Sequence, residues 1–353
     1  MDWRSNADGN LRLVKGWDKM NLAEYLSLDE ETKQRYDFSA ENATKKYQDA
    51  TSIEKYIIYK TYYSDPSKWG DEFKQGKKFR EKIRKSKDYA GFRDPDDFKS
   101  NPNSLLEQIY KKLWPELELC SDTMTSVQYI MSRYFEKETK DDRLKISNRQ
   151  RCSMGYMINL WAAKEGEEFE KKFKKVAESM NEKEEGLDIF LSAWHTLGNY
   201  CPVPSGFNSA RSNYGKHDFW DLTMMMIRKW YRTDDEVLKE CILREDLFHN
   251  RSKGNAIKAC VKWLNLCGGE EGAGEVRWER FVQTLCLEDW VNCDKDSSNY
   301  EYYEVIPLWE GHGWDNALLP VNNWKGFFME YNRRILERTK KLIKRLSMTA
   351  EYE

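Results

Sequence analysis

Features that mark several other protein classes are missing from this 353-residue sequence. No window approaches the roughly 18 consecutive apolar residues of a membrane span. The start, residues 1–6, lacks the basic and apolar regions of a signal peptide. Eight cysteines are too few for a disulfide scaffold in so long a chain. We therefore expect a cytoplasmic protein with no membrane partner, whose cysteines stay reduced and serve as small core residues.

An excess of charge of one sign is also missing. The 58 Lys and Arg residues against 60 Asp and Glu give a formal net charge of −2. The chain as a whole therefore has no basic field that would attract nucleic acid. Phosphate contacts would need a local patch, and only residues 74–87 and 333–345 are compactly basic. Each stretch also fits the solvated side of a surface helix.

The sequence is rich in aromatic residues and in helical periodicity. Its 14 Trp, 20 Tyr and 15 Phe exclude a disordered chain. Apolar residues recur with helical spacing in ten segments, which are 52–63, 104–114, 124–135, 152–180, 187–197, 217–231, 234–246, 254–266, 275–292 and 322–346. Gly198 is expected to end the fifth of these helices in a left-handed cap.

These patterns predict a mainly α fold. Only residues 302–306 alternate like a strand, so at most a small β-hairpin is expected, near residues 296–307. Neither an internal repeat nor a domain linker is visible. We therefore predict a large multi-helix single unit over residues 1–353 with loop-rich insertions. If the chain divides at all, the subregions are 1–120 and 121–353.

The strongest functional signal lies in and just after the segment 194–211. Polar side chains on a rigid loop between helices are a common way to build a site. The candidate catalytic residues are His195, Asn199, Asn208, Arg211, His217 and Asp218. His195 would act as a base or ligand, the asparagines would hold a carbonyl or a divalent metal, and Arg211 with Lys216 would take a phosphate or carboxylate. Alternatively, these residues satisfy the loop's own backbone groups.

Part of this segment resembles a known nuclease motif. Leu197-Gly198-Asn199, followed by Asn208 and Lys216, is similar to half of the motif of the HNH-type nuclease domain in GmrSD-like restriction enzymes. That family implies a metal site with a general-base His upstream, and this sequence has no His before His195. The residues 194–220, together with 308–312 and the long helix that follows, also resemble an uncharacterised bacterial family of helical proteins.

A second motif points to a different nuclease class. HEPN-type ribonucleases are all-α and use an Arg followed after four to six residues by a His. Arg244 and His249 have this spacing, and so do Arg211 and His217. An Arg can hold a scissile phosphate while a His moves a proton, and a homo-oligomer would supply two copies. In the alternative, Arg244 and His249 only stabilise the end of a helix.

Three functions are therefore open. The first is a bacterial or phage protein that acts on nucleic acid in defence or counter-defence, with residues 195–218 as its site. The second is a non-enzymatic protein or inhibitor that binds another protein, in which this loop is purely structural. The third is a small-molecule pocket lined by the aromatic residues of 299–324. An active site would gather its polar residues in an open cleft, whereas a structural loop would bury them with satisfied hydrogen bonds.

Overall fold

The structure is a computed structural model, and it describes about half of the chain. The described residues are 3–5, 11–13, 20–40, 101–117, 121–124, 187–207, 219–248, 254–313 and 324–350, with positions 47, 49–52, 55, 95, 98 and 211. The structure does not describe the predicted helix 152–180, the basic stretch 74–87, most of 52–63, or any residue of the predicted helix 124–135 except Met124.

Helices dominate the described residues, which confirms the mainly α prediction. The α-helices are α1 (Leu22–Leu26), α2 (Glu30–Gln34), α3 (Leu105–Leu113), α4 (Leu187–Ala193), α5 (Trp220–Arg232), α6 (Glu236–Cys241), α7 (Gly254–Gly268), α8 (Gly274–Thr284) and α9 (Trp324–Ala350). A π-helix follows α6 directly, at Ile242–Leu247. Short 3₁₀ turns occur at Phe38–Ala40, Leu197–Asn199 and Glu288–Trp290. Within the described residues, no helix is both long and apolar enough to cross a lipid bilayer.

Short strands form two antiparallel pairs. β1 (Trp3–Ser5) pairs with β2 (Leu11–Leu13), and β3 (Ser121–Thr123) pairs with β4 (Tyr200–Pro202). The hairpin expected near 296–307 does not form, because Val291 and Val305 make only a single antiparallel bridge there. Asn292 holds this segment as a loop instead, since its side-chain amide donates to the carbonyls of Tyr300 and Glu301.

The helix that contains Leu187 ends earlier than predicted. α4 stops at Ala193, and the chain turns so that Leu197–Asn199 form a 3₁₀ turn against α9. Gly198 is not a left-handed cap, because its φ is not positive. A Cβ at this position would lie 2.0 Å from the Ile335 carbonyl oxygen of α9. This glycine is therefore needed for close helix approach and not for backbone freedom.

α9 is the central element of the core. Its buried side chains recur every three or four residues, at Phe328, Tyr331, Ile335, Arg338, Leu342 and Leu346, which is the pattern of an amphipathic helix. The helix packs against α2, α3, α4 and the two 3₁₀ turns at 197–199 and 288–290. Buried apolar residues from Met20 to Leu346 form one hydrophobic cluster. The loop that carries the predicted site is thus pressed directly onto the longest helix of the described fold.

Candidate functional site

His195 lies in a partly buried polar cluster with Asp37, Ser39, Tyr47 and Lys55. Its side chain is only 5% exposed, and its Nδ1 atom is 3.8 Å from the Asp37 carboxylate. Its ring stacks on Trp194 with the ring centroids 4.0 Å apart. Its backbone carbonyl accepts a hydrogen bond from the Phe38 N–H. His195 therefore joins the loop to the N-terminal helices through both its side chain and its backbone.

Asp37 is the centre of that cluster. Its carboxylate accepts hydrogen bonds from the backbone and hydroxyl of Ser39 and from the Tyr47 hydroxyl. Lys55 completes the set with its ammonium 3.2 Å from the carboxylate. Burial opposes ionisation, but Lys55, His195 and the Ser39 hydrogen bond outweigh it and hold the pKa of Asp37 below its usual value. The hydroxyls of Ser39 and Tyr47 bind the carboxylate and each other. The cluster therefore holds the chain around Asp37 against His195.

Asn199 uses its polar groups to hold the loop. Its Nδ2 donates to the Trp194 carbonyl at 2.7 Å, and its Oδ1 accepts from the Tyr331 hydroxyl of α9 at 3.2 Å. Its backbone carbonyl accepts from Met124 N–H. The residue is only 1% exposed. These bonds match the structural alternative, in which the asparagine satisfies neighbouring backbone groups.

Arg211 is a buried cation in the same region. Its guanidinium donates to the Thr223 hydroxyl at 3.0 Å and to the Met124 carbonyl at 3.3 Å. It also lies 4.9 Å from the centre of the Trp220 ring. At 1% exposure the group does not face solvent. Asn199 and Arg211 therefore meet at opposite sides of the Met124 backbone, which closes the loop onto the end of β3.

The remaining predicted site residues are distributed differently. Arg244, of the HEPN-like pair, lies in the π-helix and is about half exposed, where it forms an ion pair with Glu240. Its predicted partner His249 lies outside the described residues, as do Asn208, Lys216, His217 and Asp218. Of the predicted residues that are described, His195, Asn199 and Arg211 surround one buried loop, and Arg244 is not a member of that group.

A buried His–Asp pair was missed by the sequence reasoning. The Nδ1 atom of His312 lies 2.7 Å from Oδ2 of Asp221, in the first turn of α5, and both side chains are completely enclosed. Oδ2 also accepts from Leu308 N–H, and Trp309 stacks on the imidazole with the ring centroids 3.6 Å apart. The two residues are 91 positions apart in the sequence. The only local signal was the sequence Gly311-His312-Gly313 within an aromatic-rich loop.

This pair fixes the position of the loop that contains Trp309. With the proton on Nδ1, Asp221 orients the imidazole in the way that carboxylates orient catalytic or metal-binding histidines. Here, however, the ring is enclosed by Trp309 and Phe219. Trp309 in turn packs on Phe327 of α9. Trp309 and His312 thus fill the contact between this loop and the core, whereas Tyr300 and Tyr302 of the same loop are exposed.

The described residues offer little support for a metal site or a reactive thiol. In the ranges described above, no group of three or more His, Cys, Asp or Glu side chains could hold a metal ion. Cys260 and Cys267 are buried in α7, as expected for core residues, and burial raises the pKa of both thiols. Cys293 is exposed, so the prediction of a core position is wrong for that cysteine. A thiol with a raised pKa is a poor nucleophile.

Comparisons with known proteins give no assignment. No protein-family model matches the chain, and no curated protein or solved structure shows significant similarity to it. The resemblances to the HNH-type domain and to a bacterial helical family therefore stay predictions.

Proposed function

We propose that this chain is a non-enzymatic cytoplasmic protein whose role is to bind another protein. The observation that supports this proposal is that the candidate site residues direct their polar atoms to their own chain. Asn199 and Arg211 direct their polar atoms to carbonyls and hydroxyls of their own chain, and both are almost fully buried. A site that acts on a substrate would instead present such groups in an open cleft.

The charges of α9 also favour a protein partner over nucleic acid. The sequence marks residues 333–345 as a basic stretch, but much of this charge is compensated within the fold. Arg333 and Arg334 bind Glu330, Lys340 binds Glu337, and Lys341 binds Glu288 and Asp289. Cations that are already paired contribute little to counterion release from a nucleic acid.

An exposed apolar pair supports the same proposal. Val237 and Leu238 on α6 are 71% and 57% exposed, and no residue of this helix is buried. Single exposed apolar residues are common on protein surfaces, but two adjacent ones on a helix without a buried face fit a contact surface.

The competing proposal is action on RNA or DNA in bacterial or phage defence, and one incubation separates the two. The purified chain is mixed with labelled single- and double-stranded RNA and DNA, with and without Mg²⁺ or Mn²⁺. We expect neither cleavage nor a gel shift. Cleavage by the wild-type chain that a folded His195→Ala variant lacks would overturn the proposal and identify a nuclease.

Affinity capture with the tagged full chain tests directly whether the chain binds another protein. We expect a retained protein that nuclease treatment does not release. Leu238→Asp should weaken its retention by about tenfold or more, since apolar anchors dominate such contacts. Leu266→Asp is the matched control, because Leu266 is also an exposed leucine but lies on α7. Equal loss in both variants would argue against a specific surface on α6.

A further inference from the structure

We draw no further inference here: the strongest candidate, the open groove along the C-terminal turns of α9 that is lined by Lys341, Lys344, Arg345 and Met348, is one exposed face of a single helix, and nothing in the described part of the structure shows what covers it.

Discussion

Replacing Gly198 with alanine is expected to lower the free energy of unfolding by about 3 kcal/mol. The new methyl group would lie 2.0 Å from the Ile335 carbonyl oxygen and 2.4 Å from the Thr339 hydroxyl oxygen. No side-chain rotation can relieve a contact with backbone, so the loop must move away from α9. That shift would also break the hydrogen bond from Gly198 N–H to the Thr339 hydroxyl.

The matched control is Gly313→Ala. Apart from Gly313 itself and its two chain neighbours, no residue has an atom within 4 Å of a Cβ at this position, and the backbone of Gly313 is not left-handed. This variant should change the free energy of unfolding by less than about 0.5 kcal/mol. Urea denaturation of both variants measures the difference. Equal stability of the two would mean that the loop does not pack on α9 as described.

The second large effect is expected at Arg338, where methionine should cost about 3 kcal/mol. Its guanidinium is fully buried in α9 and donates to the carbonyls of Leu285, Gly198 and Tyr200 at 2.7 to 3.0 Å. Removing the buried cation relieves some desolvation. The loss of donors to three buried carbonyls outweighs that gain, since each unsatisfied group costs about 1–3 kcal/mol.

Arg333→Met is the control for this substitution on the same helix. Arg333 is half exposed and pairs with Glu330 on the surface. Such a pair contributes at most about 1 kcal/mol. Comparable losses in the two variants, measured by urea denaturation, would show that Arg338 does not hold the loop.

Local sequence patterns predicted much of the fold but not the 3₁₀ turn at Leu197–Asn199, which packs the loop against α9. The periodicity of residues 104–114 and 254–266 marked α3 and α7 within about two residues. The predicted end of α4 was wrong. Gly198 was interpreted as a helix cap, but a glycine is required there because of its close contact with α9. That contact joins residues 141 positions apart, and no pattern near Gly198 encodes it.

The same distance explains why the candidate site was hard to judge from sequence. The composition of a polar loop with His195, Asn199 and Arg211 fits a binding site, and it fits equally well a buried loop whose polar groups hold the fold together. The difference lies in the partners, since Asn199 meets Tyr331 132 positions away and Arg211 meets Met124 87 positions away. The His312–Asp221 pair was missed for the same reason.

The most direct test of the claim that this loop holds the fold is the free energy of unfolding of Arg211→Met. Arg244→Met is its control, because Arg244 is exposed and its only described ion pair is with Glu240 on the surface. We expect Arg211→Met to lose about 3 kcal/mol and Arg244→Met less than about 1 kcal/mol. The account would be contradicted by an Arg211→Met variant that is as stable as the wild type but has lost an activity on RNA or DNA that the wild-type chain shows.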